Sequence, residues 1–353
     1  MKRRGLVAVL VLAALTACDA QGPAPSPGAA ISCASGSIKA QGSSAQTNAV
    51  NEWIRNYQVS CPDATVEYDS VGSGAGLKDF IAGTGDFAGS DSALSPADQP
   101  GANARCQSGP AIHLPMVVGP IALAYNVAGV GGLRLRPATV AKIFAGSVTT
   151  WDDPVIKADN PDVALPSTKI HAAHRSDKSG TTDNFTRFLA AAAATDWRYG
   201  NGSAWPAPGG FAEKGSNGVS AAVARTDGAI GYVEWSYADF NNLATARIGN
   251  GAGEFVALTG EAAGRTVAGA KTTGTGADLQ LSIDYRTAAA GAYPIVLVTY
   301  EVVCATGTSA LVKSFLAYTS SPAGQAAAAR LGYAALPEEL RTRVATAVAS
   351  LSR

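Results

Sequence analysis

Apolar residues along this chain fall into two alternating rhythms. Short runs that alternate or stay apolar throughout read as strands, and stretches with apolar positions three and four apart read as helices. Ser37–Gly42 predicts a strand, and Ala45, Ala49, Val50, Trp53, Ile54 and Tyr57 then follow helical spacing. Thr65–Val71 predicts a second strand, which runs into Gly72-Ser73-Gly74-Ala75-Gly76 and a helix through Leu77, Phe80 and Ile81. Asp86–Ala88 predicts a short strand ending in Gly89-Ser90-Asp91, while Ile112–Val118 and Pro120–Asn126 are long apolar stretches. Pro137–Phe144 and Pro154–Asp159 read as short helices around Thr150-Trp151-Asp152-Asp153. Lys169–His174 reads as a strand, Thr182–Ala194 as a helix and Ala229–Trp235 as a strand. Tyr293–Cys304 is a long β run, and helical segments start from Ser309, Ser321 and Pro337. The Ala/Gly-rich stretch 249–276 is expected to be surface structure joining better-defined elements. This alternation predicts an α/β fold.

The amino terminus breaks the rhythm. Lys2, Arg3 and Arg4 precede an apolar run from Gly5 to Leu15, shorter than the about 20 residues a membrane-spanning helix needs. It reads as an export signal, and Leu15-Thr16-Ala17-Cys18 resembles the lipobox of bacterial lipoproteins, where cleavage leaves a lipidated cysteine at the new terminus. An ordinary signal peptide with an incidental Cys18 is the alternative. The expected organisation is a signal peptide over 1–17, then lipidated Cys18 and a Pro/Gly/Ala-rich tether through 35. The tether's segment 19–31 reaches ~40 Å at about 3 Å per residue.

Composition narrows the function classes. The 353 residues carry 27 Lys+Arg against 27 Asp+Glu, so no excess of positive charge favours nucleic acid as a partner. Three histidines and five cysteines, without C-x-x-C or H-E-x-x-H, give no basis for a zinc site, and no metal or cofactor is expected. With Cys18 set aside, Cys33, Cys61, Cys106 and Cys304 form an even set outside the cytoplasm, which suggests two disulfides. We favour Cys33–Cys61, closing the opening strand–helix unit, and Cys106–Cys304, tying the late chain to the early chain. The other pairings stay open at this level.

Three corners repeat one design, in which a strand ends, small hydroxyl and glycine residues turn the chain, and a helix begins. They are Gly42-Ser43-Ser44, Gly72-Ser73-Gly74 and Ser179-Gly180-Thr181. Such corners present backbone N–H groups and the positive end of a helix dipole, which suits an anion; as Ser/Thr/Gly they are also ordinary helix caps. The third is the most specific. Arg175-Ser176-Asp177-Lys178-Ser179-Gly180-Thr181-Thr182 combines a guanidinium fork, a carboxylate to hold it, and hydroxyls within one short segment.

That octet resembles the R-x-D-x-S-G-T-[ST] motif of the phosphate-binding proteins of the high-affinity phosphate ABC importer. Gly42-Ser43-Ser44, Gly72-Ser73-Gly74-Ala75-Gly76, Phe87-Ala88-Gly89-Ser90-Asp91, Thr150-Trp151-Asp152-Asp153, Gly228–Glu234 and Ala292-Tyr293-Pro294-Ile295 match the same family in order, over about residues 36 to 350. The cysteine placement is similar to actinobacterial members. The resemblance implies a two-lobed periplasmic-binding-protein fold of type II, its ligand cleft between lobes joined by two crossing strands. Lobe 1 would be 36–119 plus 294–353 and lobe 2 would be 120–293. It implies Ser44, Ala45, Ser73, Asp91, Arg175, Asp177, Ser179, Gly180 and Thr181 as phosphate contacts. The implied protein is a monomer held at the outer face of the membrane by Cys18, delivering phosphate to an ABC permease, and not an enzyme. Two departures stand out. Ala45 replaces a common Phe, leaving only a backbone contact there, and Lys178 is expected to point to solvent.

Asp91 has a chemical meaning in this reading. A carboxylate facing a dianion repels it unless the ligand has a proton to share, and hydrogen phosphate has one where sulfate has none. A required hydrogen bond can reject analogues lacking it by about 10⁴–10⁵; a helix cap is the plainer role for Asp91. The alternative functions are a secreted oxyanion-binding protein with phosphatase activity or with an adhesin or sensing role. Ser73 or Ser179 would then be a nucleophile near His174, but no G-x-S-x-G elbow or Ser–His–Asp arrangement is visible. His174 is expected at a strand end, and Trp151 and Trp235 as packing residues.

Overall fold

The computed structural model describes residues 31–107 and 109–353; Cys18, the signal segment and most of the tether lie outside the described residues. The chain opens with β1 (Gly36–Gly42), α1 (Thr47–Ser60), β2 (Ala64–Asp69), α2 (Ser73–Ile81), β3 (Phe87–Ser90) and α3 (Gln99–Cys106). Then come β4 (Ala111–Asn126), β5 (Arg134–Leu135), α4 (Pro137–Phe144), α5 (Pro154–Asp159), β6 (His171–Arg175) and α6 (Gly180–Ala192). After these run β7 (Phe211–Glu213), α7 (Gly215–Arg225), β8 (Ala229–Glu234), α8 (Trp235–Phe240), β9 (Ala244–Thr245), β10 (Arg247–Gly249) and β11 (Phe255–Val256). The rest is α9 (Gly260–Ala268), β12 (Lys271–Thr272), β13 (Leu281–Ser282), β14 (Val296–Cys304), α10 (Ala310–Thr319), α11 (Pro322–Ala329) and α12 (Glu338–Ser350).

One sheet runs through the molecule in the order β2-β1-β3-β14-β4-β8-β6-β7, with β9 added to β4. Parallel pairs β1–β2 and β1–β3 occupy one end and β6–β8 and β6–β7 the other. The antiparallel strands β14 and β4 join them. The two apolar stretches before and after Gly119 are one continuous strand, β4, in which every residue but Asn126 is buried. Its prolines sit where the ladder makes no demand on an N–H. Pro115 lies at the register shift opposite Tyr300, and Pro120 lies where β4 exchanges β14 for β8 as partner.

Helices cover the sheet with the faces their spacing dictates. In α1, Ala49, Val50, Trp53 and Tyr57 are buried, and Trp53 Nε1 donates to the Gly324 carbonyl at 2.7 Å. Helices α10 and α11 begin after Ser309 and Ser321, whose hydroxyls accept from Val312 N and Gly324 N. Trp151 and Trp235 pack: Trp151 is buried with its N–H on the Gly228 carbonyl, and Trp235 lies partly buried against the core.

The stretch 249–276 corrects the reading made from sequence. It contains α9, which is capped by Thr259 and buries Ala262, Ala263, Thr266 and Val267, so it is a core element and not merely surface structure. Small residues made its apolar face hard to see. Helices α3, α7 and α8 were also not anticipated. In α3, Gly101 lowers helix propensity, and the helix is fastened at Cys106 to the end of β14.

Both favoured disulfides are present: Cys33–Cys61 with Cα atoms 5.4 Å apart, and Cys106–Cys304 at 5.2 Å. The second closes a loop of 198 residues and the first only 28, so the second restricts the unfolded chain more. Replacing Cys106 and Cys304 together by alanine is expected to cost about 2–5 kcal/mol in urea unfolding. The Cys33/Cys61 double replacement should cost less, and equal losses would count against loop closure as the cause.

Candidate functional site

The three corners meet where the two ends of the sheet face each other. The first two are joined through backbone: Ser43 N donates to Gly89 O and Gly72 N to Gly42 O, each at 2.8 Å. Gly72 adopts φ +94°, and a Cβ there would lie 2.4 Å from Asp177 Oδ2, so the second corner needs glycine for both turn and approach. Ser44, Ser73, Asp91, Arg175, Ser179 and Thr181 are each at most 4% exposed. These residues come from both ends of the sheet, and the structure brings them into one buried cluster.

The third corner is built around an ion pair. Arg175 ends β6 and donates from Nε to Asp177 Oδ1 at 2.7 Å and from Nη2 to Oδ2. Gly215 N at the start of α7 also donates to Asp177 Oδ1. Burial pushes the Asp177 carboxyl up, but the Arg175 hydrogen bonds and charge outweigh it and leave the group below the usual carboxylate range. The guanidinium is therefore held in orientation and largely neutralised. Ser179 caps α6 by accepting from Thr182 N. Lys178 is exposed, as expected, although its carbonyl accepts from Gly74 N across the junction.

Asp91 lies at the centre. Thr299 Oγ1 donates to its Oδ1 at 2.8 Å, and Thr181 and Ser73 hydroxyls approach its Oδ2 at 3.3 and 3.4 Å. Asn184 Nδ2 holds its carbonyl at 2.7 Å. Burial pushes the Asp91 carboxyl above its usual range, opposed by hydrogen bonds from Ser43 and Thr299, the Arg175 charge and Thr181.

Ser44 Oγ accepts from Ser216 N and lies 3.0 Å from Ser216 Oγ. Tyr237 OH donates to the Ser44 carbonyl and Tyr333 OH to that of Ala45. Ala45 is fully buried, and its N–H donates to Ser43 Oγ at 3.0 Å. Sequence reasoning missed Ser216, Asn184 and Thr299, and placed Ser43 in the first corner without a role of its own. Thr299 had a visible signal, a polar residue inside an otherwise buried β run; Ser216 had none.

Neither His174 nor His113 is hydrogen-bonded to these serines. His174 stacks on Trp205 with ring centroids 5.0 Å apart, and its Nδ1 contacts the Arg175 carbonyl. His113 is occupied by Leu94 N and Asp278. Among the described residues, no group of three His, Cys, Asp or Glu side chains is arranged to hold a metal ion. Beside the cluster opens a cavity of about 910 Å³ whose inner wall includes Ser73, Asp91 and Gly180. What the cluster offers is a tetrahedral-anion chemistry of hydroxyls, helix amino termini and one neutralised guanidinium, with one carboxylate as acceptor.

An α/β sheet in two lobes that close helix amino termini around a buried polar point defines a binding protein of the two-lobed, periplasmic type. A family model described as a PBP superfamily domain matches residues 27–323. The chain belongs, more narrowly, to the PstS family of phosphate-binding proteins. It is 44% identical over 324 residues to phosphate-binding protein PstS 3 of Mycobacterium tuberculosis, covering 89% of this chain and 86% of that one. To PstS 2 of the same organism it is 42% identical over 325 residues, covering 89% and 87%. Among solved structures, it resembles the high-affinity periplasmic phosphate-binding protein PfluDING bound with phosphate, with TM-score 0.71, 23% identity and coverage of 88% and 93%. A phosphate-binding protein from Stenotrophomonas maltophilia gives TM-score 0.68 at 21% identity, covering 88% and 94%.

Gly180 makes another close approach between the corners: a Cβ there would fall 2.5 Å from Asp91 Cβ and 2.9 Å from Ser73 Oγ. Gly180→Ala is expected to hold the two sides apart, giving a larger radius of gyration in small-angle scattering than the parent. An unchanged radius would remove this contact from the closure.

Proposed function

We propose that this chain is an extracytoplasmic receptor that captures inorganic phosphate by hydrogen bonds and delivers it to the permease of an ABC importer. The observation that carries the reading is Asp91, a buried carboxylate placed among hydroxyl donors next to a guanidinium already neutralised by Asp177. Such a site favours an anion that brings its own proton. Ser44, Ser73, Asp91, Arg175, Ser179, Gly180 and Thr181 are the proposed contacts, with Asp177 holding Arg175. Ala45 N–H would join them by leaving Ser43 Oγ. The lobes proposed are 36–119 with 294–353 and 120–293, swinging about the β4–β14 pair.

Membership of the PstS family supports the transport role and an extracytoplasmic site of action. Among the described residues, no helix is long and apolar enough to cross a membrane. Anchoring would come from a lipid on Cys18, at the end of the tether. We take the protein to act as a monomer and to bind its ligand without catalysing a reaction on it.

Calorimetric titration of anion-stripped protein at pH 7 should give one-to-one phosphate binding and no sulfate binding. Binding of neither anion would sink the reading. Asp91→Asn should narrow the phosphate-to-sulfate ratio by orders of magnitude, within the about 10⁴–10⁵ available to a required hydrogen bond. Because the native state raises the Asp91 pKa, its ionised form opposes folding. The favourable contribution belongs to the protonated form and is lost as pH rises through the folded value. Asp91→Asn should therefore not lower the stability of the ligand-free protein at pH 7. As pH falls through the Asp91 transition, the carboxyl becomes a donor and wild-type protein should begin to bind sulfate. A sulfate affinity independent of pH would remove Asp91 from the discrimination.

A further inference from the structure

Behind the first corner lies a buried polar cluster that the site described above does not use. Glu301 on β14 is 2% exposed and Gln46, which precedes α1, is fully buried. Glu301 Oε2 and Gln46 Oε1 are both enclosed, and neither has a hydrogen-bond partner. Glu301 stands opposite Gly89 in the β14–β3 ladder. The Gln46 amide and Tyr68 hydroxyl lie directly over that glycine, at 2.0 and 2.6 Å from where a Cβ would sit. The Gln46 and Tyr68 side chains therefore occupy the space that Gly89 leaves free, and Glu301, opposite Gly89 in the ladder, neighbours both.

Directions within the cluster follow from its proton count. Tyr68 has one hydroxyl proton, and it is donated to the Ser43 carbonyl at 2.9 Å. Its oxygen must then accept, so Gln46 presents Nε2 to it, at 3.0 Å. That leaves Gln46 Oε1 in need of a donor. A carboxylate at Glu301 would add a second acceptor and leave both oxygens unsatisfied, at a cost that burial makes large. A carboxylic acid satisfies both at once.

We propose that Glu301 is a positioning residue of the anion site, donating its carboxyl O–H to Gln46 and so fixing, through Tyr68 and the Ser43 carbonyl, the corner that carries Ser44. The proposal rests on the phosphate-binding reading for its ligand. Burial supports it, pushing the Glu301 carboxyl up to about 8 against the lowering effect of the Gln46 amide, with Asp91 adding to the rise. The titratable groups facing Glu301 are Asp91 after β3 and Tyr68 on β2; from β4 its ladder neighbour is apolar Leu114. Tyr68 is held well above its usual range by burial and by Glu301, so it stays protonated throughout. Ionising Glu301 removes the donor and sets a second negative charge behind the ligand. Bound anion would raise the Glu301 pKa further, so binding around pH 8 takes up a proton.

The test is phosphate calorimetry between pH 7.5 and 9.5, where the ligand is mainly hydrogen phosphate. Wild-type affinity should fall roughly five- to tenfold over this range, the loss of one buried hydrogen bond. Glu301→Gln retains a donor without an ionisable proton and should be flat, whereas Glu301→Leu should bind more weakly at every pH. Glu234 is also pushed up to about 8 by burial, so Glu234→Gln serves as the control and should keep the wild-type decline. A decline that persists in Glu301→Gln, or is absent from wild type, overturns the proposal. Infrared difference spectra of the ligand-free wild type against Glu301→Gln supply an independent readout. A protonated-carboxyl band at pH 7 that is lost by pH 9.5 supports the donor role, and its absence at pH 7 refutes it. If wild type binds no phosphate at pH 7, the ligand reading fails while this band still decides the state of Glu301.

Discussion

A carboxylate can be buried beside an incoming anion only if the surrounding groups supply donors to both. That constraint governs the centre of this molecule. Asp91 is fed by Thr299, Thr181 and Ser73, and the nearest full positive charge, Arg175, is already committed to Asp177. With its charge offset in this way, the site cannot hold a dianion by simple attraction. It must do so through the number and direction of its hydrogen bonds, and this is the route to selectivity between anions of the same charge and shape.

The sheet exists to deliver those donors from two directions. Parallel strands at each end aim the amino termini of α2 and α6 at the same point, because a strand-to-helix corner exposes the first helical amides. The antiparallel β4–β14 pair connects the ends without supplying a corner itself, although β14 contributes Thr299 and Glu301 from within its buried run. Polar side chains in such a strand are expensive unless satisfied, so their presence marks the strand as part of the site as well as of the core.

Much of this could be read from the residues. Corners of glycine, serine and threonine after β-like runs gave the anion chemistry, and the Arg175–Asp177 spacing gave the ion pair. The apolar run through Gly119 gave the central strand, though not that its two parts were one. What could not be read depends on distant partners. Ser216 meets Ser44 across 172 positions from the inconspicuous Gly-Ser-Asn-Gly start of α7, and only the fold brings them together. Helix α9 hid because two alanines form half of its buried face, and alanine gives little periodic contrast. Helix α3 hid because a disulfide, not propensity, secures it.

The backbone bonds that tie Ser43 to Gly89 and Gly72 to Gly42 make one rigid body of the first two corners and the strand leading to Asp91. Half of the binding surface is thus assembled before any ligand arrives. Capture then needs only a diffusional encounter with a finished surface, so the association rate should tolerate changes on the opposing half. In the proposed closure, escape would need the opposing half to withdraw and break the contacts made by Gly180 and Ser216. On the proposed reading such a molecule would divide its kinetics in space: one lobe would govern how quickly the anion is caught, and the other how long it is kept.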